Sequence, residues 1–183
     1  MNKFGLILFT LIEDSALIAW LVLVRSGQRV GGVATLVVGF FLEHVIAYNV
    51  KRGTGLFRLD VPKGLILVNA LFETFVVWVP WLLLWEAYSF NVFGYNIPIY
   101  AILYVYPALV IEHSMTDAIF KKKPILKNLW NTKTIGFSLI EGAGCNGWLL
   151  LVGAGQPILG AVVLVVFQYI EHHMAIQLGR ATS

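Results

Sequence analysis

Tyr169-Ile170-Glu171-His172-His173-Met174 places one acid and two imidazoles in the middle of the last apolar run of the chain. The combination recurs. Glu43-His44 and Glu112-His113 lie inside two earlier runs, and Glu13, Glu73 and Glu141 stand singly in the other three. Every apolar run therefore carries a central glutamate, and every second run carries a histidine directly after it.

The runs set the fold class. A helix needs about 20 apolar residues to cross the hydrocarbon core of a bilayer. The 183 residues divide into six such runs, near 4–24, 32–50, 64–85, 97–119, 134–153 and 157–178. Hydrophobic residues are 58% of the chain, charged residues 13%, and the mean hydropathy is +0.79. That balance is far from a soluble domain's. We expect an all-α membrane protein with a single transmembrane domain over 1–183, built as a six-transmembrane-helix bundle. Lys3 followed by an apolar run is also how a secretory signal begins. Glu13-Asp14 interrupts that run and no small-x-small cleavage site follows, so a retained first span is expected. One cysteine, Cys145, allows no internal disulfide.

Charge marks sidedness. The links after runs one, three and five hold only Arg25 and Arg29. The N-terminus, the other two links and the tail hold Lys3, Lys51, Arg52, Arg58, Lys63, Lys121, Lys122, Lys123, Lys127, Lys133 and Arg180. Eleven basic residues against two put both termini in the cytoplasm by the positive-inside rule. The net charge of +3 is accounted for in this way and implies no nucleic-acid partner. Trp78, Trp81, Trp85, Tyr88, Tyr95 and Tyr100 read as an interfacial belt where run three leaves and run four re-enters.

The central glutamates are spaced 30, 30, 39, 29 and 30 residues apart. In odd runs the acid falls early and in even runs late, and consecutive spans run in opposite directions. At 1.5 Å per residue all six carboxylates land roughly 10–14 Å from the cytoplasmic end, in one layer. The alternation of a lone glutamate with Glu-His divides the chain into three two-helix units, near 4–50, 64–119 and 134–178. A pseudo-threefold bundle follows.

Energetics decide what the layer needs. One charged side chain at the bilayer centre costs about 2.5–3.5 kcal/mol. Six would cost roughly 15–20 kcal/mol, more than the net stability of a whole domain, about 5–15 kcal/mol. All thirteen lysines and arginines lie in links, termini or span ends, so no internal cation is available. The acids must be protonated or must bind metal. The histidines favour metal, because carboxylate with imidazole suits iron, manganese or zinc. We expect two or three divalent ions, iron first and zinc or manganese next, held by Glu13, Glu43, His44, Glu73, Glu112, His113, Glu141, Glu171 and His172. Asp14, Tyr48, Asp117, Cys145 and His173 are extra ligands or supporting groups by position; Cys145, among Gly142, Gly144 and Gly147, reads first as a packing residue. Soluble di-iron carboxylate bundles use the same ligand types at Glu-x-x-His spacing, so only the ligand set is shared.

Three functions fit. The first is a non-haem iron oxidoreductase acting with dioxygen on a lipophilic substrate or quinone within the lipid bilayer. It would be served by a cytoplasmic electron donor or membrane partner subunit. The second is a divalent-metal or proton transporter or channel, although many ligands in one layer resemble a trap more than a pathway. The third is a metal-stabilised, non-catalytic subunit of a membrane complex.

Overall fold

The computed structural model describes residues 3–53, 55–58, 60–88, 90–92, 95–121, 126, 129 and 131–180. Six long helices stand where the apolar runs predict them. They are α1 Lys3–Arg25, α2 Arg29–Arg52, α3 Lys63–Ala87, α4 Ile99–Lys121, α5 Thr132–Gly153 and α6 Pro157–Arg180. All except α4 contain a stretch long and apolar enough to cross a membrane. Helix α4 has the length, 23 residues, but Tyr100, Tyr104, Tyr106, Glu112, His113 and Asp117 dilute its apolar content. A small hairpin departs from the all-helical expectation. Phe90–Val92 (β1) pairs antiparallel with Tyr95–Ile97 (β2) in the α3–α4 link, with Asn91 opposite Asn96. Its aromatic and β-branched residues suit a strand.

The helices close into a ring. Helix α1 lies along α2, α3 along α4 and α5 along α6; α2 then meets α3, α4 meets α5, and α6 meets α1. Small residues set how closely the pairs approach. A Cβ built at Gly39 of α2 would lie 2.2 Å from Ala16 Cβ of α1, and one at Gly144 of α5 would lie 2.5 Å from Phe167 Cβ of α6. The turns inside these two pairs are alike. Gly27 at φ 85° and Gly155 at φ 77° adopt the left-handed conformation that favours glycine. Each ends its helix in a Schellman motif, with Gln28 N–H bonded to Leu23 O and Gln156 N–H bonded to Leu151 O, both at 2.8 Å.

Helix α3 is interrupted where it matters. It is α-helical over Lys63–Phe72, π-helical over Glu73–Trp78 and α-helical again over Val79–Ala87. Pro80 has no N–H to give to Val76 O four residues earlier. The wider turn absorbs the mismatch, and the Tyr104 hydroxyl of α4 donates to the Val76 carbonyl. A π turn brings residues five apart onto one side, which lets Trp78 Nε1 donate to Glu73 Oε1 at 2.9 Å.

The core corrects one expectation. Trp78 and Trp81 are fully buried and do not belong to an interfacial belt. They join Trp20, Phe40 and Trp148 in the interior of the ring. Trp20 and Trp148 stand seven residues after Glu13 and Glu141, while Trp81 stands eight after Glu73. The π turn takes up the added residue, and all three indoles reach the same interior. Among described side chains Arg25, Arg29, Arg52, Arg58, Lys63 and Lys133 are exposed. Lys122, Lys123 and Lys127 lie outside the described residues, as do the side chains of Lys3, Lys51, Tyr95, Lys121 and Arg180.

Candidate metal centre

All six central carboxylates point inward. Glu13, Glu43, Glu73, Glu112, Glu141 and Glu171 are 2–7% exposed, and no lysine or arginine among the described residues is buried with them. His44 and His172 are buried and His113 nearly so.

The histidines reach from one helix pair to the next. His44 of α2 faces α3 and α4, with Nδ1 3.9 Å from Glu73 Oε2 and Nε2 3.8 Å from Glu112 Oε1. His113 of α4 faces α5 and α6, with Nε2 3.2 Å from Glu141 Oε2 and 3.5 Å from Glu171 Oε1. His172 of α6 faces back to the start, with Nε2 2.9 Å from Glu13 Oε2. Donor atoms of Glu13, Glu43 and His172 lie within 4.8 Å of one another, as do those of His44, Glu73 and Glu112. Each imidazole thus meets both glutamates of the next helix pair, and the last returns to the first. Two donors about 2.1 Å from one ion are at most ~4.2 Å apart. The observed spread is close to that limit, so these buried groups could hold metal.

The hydrogen bonds fix the tautomers. His44 Nδ1–H donates to Phe40 O at 2.7 Å, one turn back on its own helix, and lies 2.6 Å from Glu43 Oε2. His113 Nδ1–H is shared between Leu109 O at 2.9 Å and Ser138 Oγ at 3.0 Å. Ser138 gives its own proton to Thr134 O, so it accepts from the imidazole. Thr10 does the same for His172: its hydroxyl donates to Leu6 O and accepts from Nδ1–H at 2.7 Å. All three Nε2 lone pairs are therefore left for other partners. At His113 and His172 these are carboxylate oxygens, which when ionised offer no proton either, so a second proton on the imidazole or a metal cation must lie between them. At His44 the Asn69 amide occupies Nε2 at 2.6 Å and also donates to Thr116 Oγ1 at 2.7 Å, so a metal ion on this triad would take the place of the Asn69 amide.

Thr10, Asn69, Ser138 and Gln168 were not singled out by the sequence reading. Thr10 and Ser138 each precede a central glutamate by three residues, a spacing that puts the hydroxyl on the glutamate's face of the helix. Gln168 Nε2 donates to Glu13 Oε1 at 2.9 Å and reaches Glu141 Oε1 at 3.5 Å, linking two triads. Of the supporting candidates, Asp14 is buried with neither carboxylate oxygen hydrogen-bonded. Cys145 is fully buried, 4.0 Å from Gln168 Nε2. Tyr48 accepts from Arg52 Nη1 at 2.8 Å, His173 stacks on Tyr169, and Asp117 is half-buried on α4.

The ends of the layer differ. On the hairpin side lie the indoles of Trp20, Trp78, Trp81 and Trp148 with Phe40; Trp78 and Trp81 meet edge-on at 5.4 Å. On the side of the chain termini lie Thr10, Asn69, Thr116 and Ser138.

Fold and site together define the class: a helical bundle with several helices apolar enough to span a bilayer, enclosing buried carboxylate–imidazole groups able to hold metal. Compared with protein-family models, with curated proteins and with solved structures, the chain matches none.

Proposed function

We propose that the protein is a membrane-embedded trinuclear metalloenzyme, a non-haem iron oxidoreductase that uses dioxygen on a lipophilic substrate. One observation carries this reading: each of the three histidines reaches glutamates of the next helix pair, and in two of the resulting His-Glu-Glu groups all three donor atoms lie within 4.8 Å of one another. Six carboxylates balance three divalent ions, which removes the charge that six buried acids would otherwise impose. Carboxylate and imidazole oxygen and nitrogen donors suit iron, with manganese and zinc as the other candidates.

The repeat of three two-helix units supports the same reading. At a constant offset, Glu13, Trp20, Gly27 and Glu43-His44 correspond to Glu141, Trp148, Gly155 and Glu171-His172; for example 141 − 13 = 128 and 171 − 43 = 128. Unit two carries the same groups around a longer link and the π turn.

Bound iron would supply dioxygen binding and electron transfer. The residues of this chain hold the ions, fix the imidazoles through Phe40 O, Leu109 O, Ser138 and Thr10, and keep bulk water away with the aromatic layer. A reductant docking at the lysine-rich links, on the termini side, would deliver electrons. The transport reading is weaker, because an ion must leave as well as enter and the indole layer covers one end of the site.

Elemental analysis of the purified protein, paired with oxygen uptake in lipid, tests the reading. Three iron ions per chain and substrate-dependent uptake are expected. Metal-ion flux into proteoliposomes without oxygen uptake, or a fully active protein lacking metal, would overturn it.

A further inference from the structure

A groove of about 200 Å³ opens between α1 and α6, lined by Ile7, Thr10, Leu11, Val165, Val166, Tyr169 and Ile170. Its rim and floor differ. Ile7, Leu11, Val166, Tyr169 and Ile170 are exposed on the outer face of the bundle, where a bilayer would place lipid, whereas Thr10 is buried. Behind Thr10 lies the site. Its hydroxyl bonds His172 Nδ1 at 2.7 Å, and His172 Nε2 is 2.9 Å from Glu13 Oε2.

We infer that this groove seats one fatty acyl chain of a bilayer lipid, presented through Thr10 to the Glu13–Glu43–His172 triad. The inference rests on the metalloenzyme reading and names its substrate class. Size argues for a chain. Pockets that enclose a whole small molecule are about 300–1,000 Å³, so the groove admits one end of a molecule whose remainder stays in lipid. Chemistry argues the same way. The lining is aliphatic apart from Tyr169 at the rim and the Thr10 hydroxyl, whose single proton is committed to Leu6 O. A quinone ring would need hydrogen-bond donors for its two carbonyl oxygens, and the floor offers none. A methylene chain needs none.

A phosphatidylcholine carrying a diazirine in one acyl chain, photolysed with the full-length protein in nanodiscs, tests this. Saturable labelling of 7–11 and 165–170 is expected, competed by unlabelled phosphatidylcholine. Leu11→Trp, and independently Ile170→Trp on the opposite wall, should reduce it at least fivefold with metal content unchanged. Labelling spread evenly over the outer helix faces, or untouched by either tryptophan, overturns the groove and leaves the metal centre standing. Stronger competition by a prenylated quinone than by phosphatidylcholine overturns the acyl assignment. Absence of metal from the parent protein, with labelling intact, refutes the metalloenzyme reading instead.

Discussion

Gly39→Ala tests how the ring holds the site. The added Cβ would lie 2.2 Å from Ala16 Cβ. Non-bonded carbons rest about 3.5–4.0 Å apart, so α1 and α2 must part by roughly 1.3–1.8 Å at this level. Neither side can turn away, because both groups are methyls fixed to the backbone. Glu13 stands three residues before Ala16, and Glu43 four residues after Gly39. The separation therefore falls on two of the three residues of the His172 triad. Overpacking of this kind costs about 1–3 kcal/mol. We expect that loss in reversible unfolding from mixed micelles, together with loss of the metal ion nearest Glu13 and Glu43. Gly136→Ala is the control. Its Cβ meets nothing within 4 Å, and exchanging glycine for alanine inside a helix stabilises by roughly 0.5–1 kcal/mol. A Gly39→Ala protein as stable as its parent and carrying full metal would refute the geometry on which the site rests.

The other predictions concern individual groups. His113→Ala should lower metal content by one ion per chain in elemental analysis, since His113 Nε2 faces Glu141 and Glu171. Ser138→Ala leaves every ligand in place but removes one of the two acceptors that orient the His113 imidazole; a 10–100-fold weaker metal affinity is expected by competition with a chelating dye, with Ser138→Thr restoring it. Tyr104→Phe deprives Val76 O of its donor where Pro80 supplies none, costing about 1 kcal/mol in unfolding without changing metal content. Metal occupancy should fall as pH is lowered, because bound ligands must give up their protons. Chelation should also lower the unfolding midpoint, since metal binds only the folded arrangement.

Much of this was legible in the chain. Length, hydropathy and the recurrence of Glu and Glu-His reveal six helices with an acid on each, because helix formation and burial in oil depend on local composition. The inward layer also follows from sequence, since six acids without nearby cations are too costly to face lipid. What local pattern cannot carry is which imidazole meets which carboxylate. That His172 closes on Glu13, 159 residues away (172 − 13), is decided by α6 packing against α1. Trp78 and Trp81 illustrate the same limit. Beside a link they resemble anchors, and only the π turn that follows from Pro80 directs them into the core. Thr10, Ser138 and Asn69 were invisible for a related reason: a hydroxyl or amide becomes a partner only when another helix brings an imidazole to it. Sequence determined the inventory of elements and charges because those are properties of single segments. Tertiary structure decided the pairing, the tautomers and the opening between α1 and α6, because each depends on contacts between segments far apart along the chain.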